Sequence, residues 1–129
     1  MTSSALRDLR ILVVEDEFLI AMNLVDALEN AGSFVLGPVA SVAKAISKIE
    51  SEAHIDAAVV DVNLGGLLAF PVADMLVARK IPFIFTSGYE DNVLKTRYSQ
   101  VKNCLKPYHF RAMEEALVEA MSRSTIAPP

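Results

Sequence analysis

The sequence predicts an α/β fold in which one parallel sheet carries helices on both faces. Apolar runs of strand length alternate with amphipathic segments of helical period along most of the 129 residues. The runs are rich in β-branched and aromatic residues, which is typical of parallel strands buried on both faces. A chain of this length corresponds to one domain. We expect that domain over residues 10–122, after a polar lead-in over residues 1–9 and before a tail over residues 123–129.

The first part of the chain contains two strand-then-helix units. Residues 11–14 form the first predicted strand, and the amphipathic segment over residues 18–31 forms the helix after it. Gly32 ends this helix, because glycine readily adopts the left-handed conformation common at helix C-termini. Residues 34–39 are the second strand, and Ser41 can cap the helix that follows.

The same alternation continues to the end of the chain. Apolar residues recur every three or four positions in the helical segments, and the strand segments are short apolar runs bounded by turn residues. Gly65 and Gly66 predict a loop ahead of the third helix. The remaining elements are a helix over residues 42–50, a strand over 55–60, a helix over 71–79, a strand over 82–86, a weaker helix over 91–99, a strand over 103–105 and a final helix with Phe110, Met113, Leu117 and Met121 on its inner face.

Five strand-and-helix units imply a parallel sheet with right-handed crossovers and helices on both faces. Eight units would be needed to close a barrel, so we expect an open sheet. The flavodoxin-like strand order 2-1-3-4-5 is the natural arrangement, and it places the switch point between the first and third strands. We therefore predict a doubly wound (βα)5 fold with its site at the carboxyl edge of the sheet.

The composition argues against several classes of function. The net charge is −4 and the 12 Lys and Arg residues are scattered, whereas nucleic-acid-binding proteins usually carry a basic cluster. No apolar stretch approaches the roughly 20 residues of a membrane span, and the first residues lack a secretory pattern. His54 and His109 do not have the spacing of a zinc site, and Cys104 is interpreted as a buried thiol. We expect a cytoplasmic protein that binds neither nucleic acid nor a membrane.

Polar residues follow four of the five predicted strands. Glu15 and Asp16 come after the first strand, Asp61 after the third, Ser87 after the fourth and Lys106 after the fifth. Parallel strands bring their carboxyl ends to one edge of the sheet, so we expect these side chains to lie close together. Three carboxylates, a hydroxyl and a lysine in one place suit a magnesium ion and a phosphoryl group.

The carboxylates are candidate ligands for Mg²⁺, which prefers oxygen ligands. Asp16 and Asp61 can coordinate the ion directly, whereas Glu15 would act through a bound water. Without a metal ion, neighbouring carboxylates raise one another's pKa values, so a cation is expected among them. An acidic helix N-terminus is the alternative explanation for Glu15, Asp16 and Glu17, since it is favourable with the helix dipole.

Asp61 is the candidate acceptor of the phosphoryl group, because a carboxylate can attack phosphorus and form an acyl phosphate. Lys106 could pair with Asp61 before the reaction and with a phosphoryl oxygen after it. Ser87 could donate its hydroxyl to another phosphoryl oxygen. Each residue also has an ordinary explanation at a strand end, as a capping carboxylate, a solvated lysine or a turn serine. It is the combination that predicts phosphoryl transfer.

This set of residues resembles the receiver domains of two-component response regulators, over roughly residues 8–122. The motifs that carry the resemblance, in the family's order and spacing, are Glu15-Asp16, Asp61, Ser87 and Lys106-Pro107. The resemblance implies that Asp61 accepts a phosphoryl group from a phosphohistidine on a sensor histidine kinase or a phosphotransfer protein. It also implies that Mg²⁺ is held by Asp16, Asp61 and the backbone carbonyl of Asn63. Beyond phosphorylating and dephosphorylating itself, the chain is not expected to be an enzyme.

The resemblance indicates which hydroxyl of this chain matches the one in the family, and it also shows one position where the chain departs from the family's pattern. The family often has a proline five residues before its hydroxyl and a small residue after it, and Pro82 and Gly88 fit Ser87 in this way. The neighbouring Thr86 would point to the other side of the strand. Three residues before the lysine, many receivers carry a switching tyrosine or phenylalanine, whereas this chain has Asn103. We therefore do not assume the usual aromatic switch.

Three segments resemble the FAT GUY receivers, namely residues 82–89, 61–66 and 106–108. Those proteins are often single-domain regulators paired with HWE or closely related histidine kinases, and they commonly lack the aromatic at the position of Asn103. Thr86 stands where their motif usually has alanine. The resemblance predicts a member of this subfamily with a kinase of HWE type as its partner.

Tyr89, two residues after Ser87, is the nearest aromatic that could replace the missing switch. It could rearrange with the helix after it when Ser87 moves toward a phosphoryl group, or it could only shield the acyl phosphate from water. We expect the chain to signal through a phosphorylation-dependent binding surface or to act as a phosphate sink. The sequence does not identify the cognate kinase, the downstream target or the oligomeric state.

Three other functions fit parts of the pattern. A receiver-like module that works without phosphorylation would lack the acceptor or the lysine, yet Asp61 and Lys106 are present. A flavodoxin-like cofactor binder would need a phosphate-cradling loop after the first strand, where the acidic stretch would repel phosphate. A phosphatase with an aspartyl nucleophile usually has a second aspartate two residues later, where this chain has Asn63. The phosphorylation-independent module is kept as the alternative.

Overall fold

The computed structural model describes residues 5–88 and 98–126. Within them, strands and helices alternate in the predicted order. Most of the weaker helix predicted over residues 91–99 lies outside the described residues, as does Tyr89. The strands are β1 (Arg10–Val14), β2 (Phe34–Val39), β3 (Ala57–Asp61), β4 (Asn63–Leu64), β5 (Leu67–Leu68), β6 (Phe83–Ser87) and β7 (Asn103–Leu105), and the helices are α1 (Phe18–Asn30), α2 (Val42–Ser51), α3 (Phe70–Ala78) and α4 (Phe110–Ile126).

Five strands form one sheet in the order β2-β1-β3-β6-β7, and every neighbouring pair in it is parallel. Counted among themselves, these strands have the predicted order 2-1-3-4-5, so the doubly wound fold is confirmed. The numbering differs because β4 and β5 form a separate two-stranded sheet. The first and third sheet strands are neighbours, which places the switch point where the sequence predicts it.

Each face of the sheet buries its own apolar core. Along β1, Leu12 and Val14 face a cluster that includes residues of α2 and α3, whereas Ile11 and Val13 face a cluster that includes residues of α1 and α4. Side chains alternate along a strand, so one continuous apolar run supplies both clusters. The helices therefore cover both faces and leave the carboxyl edge of the sheet for polar residues.

Strand β2 requires a glycine beside β1. The register between the two strands shifts after Leu12, so that the next aligned pair joins Val14 to Val39. Gly37 takes a φ of +97° at this irregularity, and a Cβ there would lie 2.9 Å from the carbonyl oxygen of Val13. Only glycine combines that backbone conformation with so close an approach.

The loop predicted around Gly65 and Gly66 is a β-hairpin. Its strands β4 and β5 pair antiparallel, with Leu64 opposite Leu67. The φ angles of Gly65 and Gly66 are +62° and +95°, and two consecutive positive φ angles are what a type I′ hairpin turn requires. The pair of glycines therefore turns the chain back within two residues, directly after Asp61.

The helix ends follow the predicted signals. The hydroxyl of Ser41 accepts a hydrogen bond from the backbone N–H of Lys44 at 3.1 Å, which caps α2. Gly32 follows α1 with a φ of +94°, as expected for a glycine after a helix C-terminus. No helix of the described residues is long and apolar enough to cross a membrane.

The predicted lead-in contributes to the core, which its polar composition does not indicate. Leu6 is fully buried in the cluster beside α1 and α4. Its backbone carbonyl accepts a hydrogen bond from the hydroxyl of Ser33 at 2.7 Å, and the N–H of Asp8 donates to the carbonyl of Gly32 at 2.8 Å. At the other end, α4 continues to Ile126, past the predicted domain limit at residue 122.

Candidate functional site

The strands deliver the predicted polar residues to one edge of the sheet. Glu15 and Asp16 follow the last residue of β1, and Asp61 is the last residue of β3. Because β1 and β3 are adjacent and parallel, these three carboxylates come together, with one oxygen of each within 4.8 Å of the others. Asp16 is exposed, whereas Glu15 and Asp61 are buried.

Lys106 lies among these carboxylates. It directly follows β7, and its Nζ lies 3.0 Å from Oδ2 of Asp61 and 2.9 Å from Oε1 of Glu15. A third carboxylate, Glu17, which the sequence analysis did not assign, accepts from Lys106 at 3.1 Å. The lysine side chain is only 10% exposed, so its ammonium is largely enclosed by groups of opposite charge.

These contacts determine the protonation of the pair. Burial raises the pKa of Asp61 to about 7, with the neighbouring Glu15 adding to the rise and the hydrogen bond from Lys106 opposing it. For Lys106, burial acts to lower the pKa, but the hydrogen bonds to Glu15 and Asp61 outweigh it, so the pKa lies above its usual range. Lys106 is therefore protonated at neutral pH, whereas Asp61 without a metal ion titrates near neutrality.

The donor set fits a divalent cation. Glu15, Asp16 and Asp61 offer carboxylate oxygens, the ligand type that hard cations prefer. The two aspartates are already oriented by backbone groups: Oδ2 of Asp16 accepts from the N–H of Gly65 at 2.9 Å, and Oδ1 of Asp61 accepts from the N–H of Asn63 at 3.2 Å. A cation at this point would favour the ionised form of Asp61, which burial and the neighbouring Glu15 disfavour.

The hairpin β4-β5 holds Asp16 from the opposite side. Because the Gly65 N–H contacts the Asp16 carboxylate, the turn lies directly against the acidic cluster. The side chain of Asn63 accepts from the N–H of Gly66 at 2.8 Å and so closes the turn. Leu67 is 62% exposed, so the far strand of the hairpin presents an apolar residue to solvent beside the site.

Ser87 joins the site through the backbone and through its hydroxyl. Its carbonyl accepts from the N–H of Lys106 at 2.7 Å, which ties the end of β6 to the residue after β7. Its Oγ lies 3.0 Å from Nδ2 and 3.2 Å from Oδ1 of Asn103, and either direction of hydrogen bond satisfies the geometry. Thr86 is buried and, as its neighbour in an extended strand, points to the other face.

An apolar groove of 510 Å³ adjoins Lys106 between α1 and α4. Its walls include Ile20, Leu24 and Phe110, and Tyr108 forms part of the edge near the lysine. The Tyr108 hydroxyl is buried without a hydrogen-bond partner among the described residues. Burial raises the pKa of this hydroxyl to about 12, and the charge of Glu15 adds to the rise. The phenol is therefore neutral at physiological pH.

Solved structures resemble this chain over most of its length. SdrG from Sphingomonas melonis Fr1 is 40% identical, with a TM-score of 0.78, and the match covers 90% of this chain and 98% of SdrG. The BeF3-activated conformation of SdrG from Pseudomonas melonis Fr1 is 38% identical, with a TM-score of 0.72, covering 94% of this chain and 98% of that one. The PhyR response regulator REC domain of Erythrobacter litoralis is 22% identical, with a TM-score of 0.83, covering 98% of both chains. No protein-family model and no curated protein matches the sequence.

The fold is an α/β fold of the receiver type, with an open five-stranded sheet and, at its carboxyl edge, an acidic cluster that fits a divalent cation. SdrG adds sequence identity of 40% over nearly its whole length. The chain therefore belongs to the response regulator receiver domains, the family that its motifs resemble. Membership of the FAT GUY subfamily stays a prediction.

Proposed function

We propose that this chain is a phosphoryl-accepting receiver in which Asp61 takes the phosphoryl group from a phosphohistidine of a sensor histidine kinase or a phosphotransfer protein. The observation that carries the proposal is the buried Asp61 carboxylate, 3.0 Å from the Lys106 ammonium and beside two further carboxylates that fit a divalent cation. Asp61 combines a lysine contact with a place in the metal-ligating cluster. Among the described residues, Glu15 is the other carboxylate that does so, and the receiver pattern that the chain resembles has its acceptor at the position of Asp61.

The transfer is a displacement at phosphorus. An oxygen of the ionised Asp61 carboxylate forms a bond to phosphorus as the phosphorus–nitrogen bond of the donor imidazole breaks, and the electron pair of that bond leaves with the imidazole. Lys106 then moves its hydrogen bond from the carboxylate to a phosphoryl oxygen. Ser87 donates its hydroxyl to another phosphoryl oxygen. Water later hydrolyses the acyl phosphate, which is the only turnover that we propose.

We propose Mg²⁺ as the resident cation, held by Asp16, Asp61 and the backbone carbonyl of Asn63, with Glu15 acting through a water molecule. When bound, the ion neutralises the negative charge that accumulates between carboxylate and phosphoryl group. Asp16 suits a ligand because it is exposed and yet oriented by the Gly65 N–H. Glu15 accepts from Lys106 and from the N–H of Glu17, and in the outer position it would keep both contacts.

The donor protein is proposed to dock across the start of α1. Phe18 and Leu19 are 73% and 75% exposed there, one to two residues after Glu17, which contacts Lys106. Exposed apolar side chains next to a reactive site are typical of a protein-binding surface. The FAT GUY resemblance supports a kinase of HWE type as the donor. We place the reaction in the cytoplasm, since the free thiol of Cys104 fits a reducing compartment.

The test compares Asp61→Asn with Asp26→Asn, which removes an exposed carboxylate of α1 away from the site. We expect Asp61→Asn to fold and to lose labelling by acetyl phosphate and by an autophosphorylated kinase, whereas Asp26→Asn labels like the parent chain. Undiminished labelling of Asp61→Asn would refute the assignment.

Removal of the metal ion gives a second prediction. Chelation should stop labelling of the parent chain, because the charge between carboxylate and phosphoryl group is then uncompensated, and added Mg²⁺ should restore it. Asp16→Ala should bind Mg²⁺ markedly more weakly, as followed by amide chemical shifts. Labelling at the full rate in chelator would contradict the metal role.

The variant Leu19→Ala tests docking of the donor protein separately from the phosphoryl transfer itself. This variant should accept phosphate from the protein donor more slowly and from acetyl phosphate at the parent rate, because only the protein donor uses the surface. An equal loss with both donors would argue against docking at α1. The signal is proposed to leave through a phosphorylation-dependent surface or by competition for phosphoryl groups, and phosphotransfer profiling over a panel of kinases distinguishes the donors.

A further inference from the structure

Asn103 and Ser87 form a side-chain pair between two neighbouring strands of the site. Asn103 begins β7 and Ser87 ends β6, and the two strands are paired in parallel. The Asn103 amide lies against the Ser87 hydroxyl, with Nδ2 at 3.0 Å and Oδ1 at 3.2 Å from Oγ. Asn103 is partly buried and Ser87 is buried, so the pair is only partly accessible to water.

The chemistry of the pair allows two arrangements of one proton. A serine hydroxyl has a single hydrogen to donate, while an asparagine amide offers both an acceptor and two donor hydrogens. When Ser87 donates to Oδ1, that proton is not available to any other oxygen. When Nδ2 donates to Oγ instead, the hydroxyl keeps its position and its proton can go to another acceptor.

The backbone fixes the rest of this region. The Lys106 N–H donates to the Ser87 carbonyl at 2.7 Å, so the end of β6 and the start of the segment after β7 are held together. Ser87 can therefore change its hydrogen bonding by rotating its hydroxyl rather than by moving its backbone. The Asn103 amide is the group beside it that can accept in one arrangement and donate in the other.

We propose that Asn103 is a positioning residue for Ser87: it accepts the hydroxyl proton in the resting protein and donates to the Ser87 oxygen once a phosphoryl group on Asp61 takes that proton. This inference rests on the proposed function of Asp61. It gives a role to the residue that stands where the switching aromatic is missing. A phenylalanine ring at this position could take neither part, and an ionised carboxylate could only accept, because it lacks donor hydrogens.

The test uses beryllofluoride as the phosphoryl mimic, with its affinity measured by fluorine NMR in the presence of Mg²⁺. Two variants separate the two halves of the amide: Asn103→Leu removes donor and acceptor at similar size, and Asn103→Asp keeps acceptors but removes the donor. Losing one neutral hydrogen bond should weaken binding roughly fivefold in Asn103→Leu. Asn103→Asp should weaken it more, because the carboxylate retains the Ser87 proton.

Each variant is also made in the Ser87→Ala background, which completes a double-mutant cycle. If Asn103 acts through Ser87, its substitutions change affinity in the parent background and leave it unchanged once Ser87→Ala is present. A structural effect on β7 alone would be equal in both backgrounds and would overturn the proposal, as would parent-like affinity of Asn103→Leu. Thermal unfolding of the five variants, the three single and the two double ones, identifies any that fail to fold, and the cycle built on the other Asn103 substitution then decides.

The resting arrangement is tested without any phosphoryl group. In the untreated chain, Ser87→Ala should shift the side-chain NH₂ signals of Asn103, and unchanged signals would overturn the resting half of the proposal. If the parent chain does not bind beryllofluoride, the proposed function of Asp61 fails and this inference with it. Binding without coupling between Asn103 and Ser87 defeats only the inference.

Discussion

Four carboxylates and one ammonium group lie together at the carboxyl edge of the sheet. Lys106 contacts Glu15, Glu17 and Asp61 at about 3 Å, and Asp16 completes the acidic cluster from the exposed side. One lysine cannot compensate this charge. The excess is partly relieved in the metal-free protein when Asp61 binds a proton, which agrees with the direction in which burial and Glu15 shift its pKa.

The raised pKa of Asp61 predicts how stability depends on pH in chelator. Its pKa rises from 3.8 in the unfolded chain to about 7 in the fold, so the folded protein binds the proton more tightly and loses stability as pH rises through this window. Asp61→Asn cannot ionise. It should therefore lose less stability than the parent between pH 4 and 7 and be the more stable of the two above pH 7.

Urea denaturation at several pH values measures this difference. Asp26→Asn serves as the control, because an exposed carboxylate of α1 should leave the parent pH profile unchanged. Parallel profiles for Asp61→Asn and the parent chain would show that Asp61 ionises without cost in the fold.

At the residue scale, the sequence identifies the side chains that end strands more readily than the side chains that they contact. Asp61 and Lys106 were predictable because each follows an apolar run, and parallel strands bring such ends together. Glu17 was passed over because a helix N-terminus explains an acidic residue there equally well. In the sequence, Asn103 stands out only because it occupies the position where many receivers have an aromatic residue. Its contact with Ser87 depends on the pairing register of β6 and β7.

The hairpin β4-β5 cannot be predicted from an alternating strand pattern, because each of its strands has only two residues. Gly65 and Gly66 indicate a turn, but the residues on either side do not alternate between apolar and polar, so the sequence predicts only a loop. The other described elements are predictable because each has either an apolar run or a helical period. Their ends differ by a residue or two, as in α3, which begins at Phe70.

Substitutions at two glycines distinguish backbone strain in the hairpin turn from steric crowding by an added side chain. Gly66→Ala places a side chain at a φ of +95°, in the left-handed half of backbone space that L-residues avoid, so we expect a loss of about 1–2 kcal/mol in unfolding free energy. Gly88→Ala is the matched control. Among the described residues, no atom lies within 4 Å of its added Cβ, and its φ is not in that region, so its stability should stay close to that of the parent.

Urea denaturation of both variants measures the difference. A Gly66→Ala variant as stable as Gly88→Ala would show that the turn relaxes without strain. Mg²⁺ titration of the same samples shows whether the turn, which contacts Asp16 through the Gly65 N–H, also affects the metal site.

At the scale of the whole molecule, an apolar core lies on each face of the sheet, and the segment before β1 contributes to one of the two cores. Leu6 contributes to the cluster beneath α1 and α4 although its neighbours are polar. The lead-in was predicted as polar because composition averages over nine residues, whereas one leucine is enough to anchor the chain. The Ser33 hydroxyl, which donates to Leu6, and the Gly32 carbonyl, which accepts from Asp8, lie more than 20 residues away and leave no local pattern.

Leu6→Ala should therefore destabilise the whole fold. Truncating a fully buried leucine costs roughly 2–5 kcal/mol, depending on how far the cavity collapses. Leu19→Ala makes the same change at a position that is 75% exposed, and its cost should stay within about 0.5 kcal/mol. Chemical denaturation decides between these outcomes, and equal midpoints for the two variants would show that the Leu6 anchor adds nothing to the core.

The anchored Leu6 also has a consequence for attaching labels and partner domains. Its carbonyl accepts from the Ser33 hydroxyl near the amino ends of β1 and β2, while Asp61 lies at the carboxyl end of β3. All three strands run in the same direction, so a fluorophore or fused protein tethered ahead of residue 5 approaches from the edge opposite the acceptor. A tether there leaves the mouth of the site open to a donor, provided that the linker starts before the leucine that fastens it.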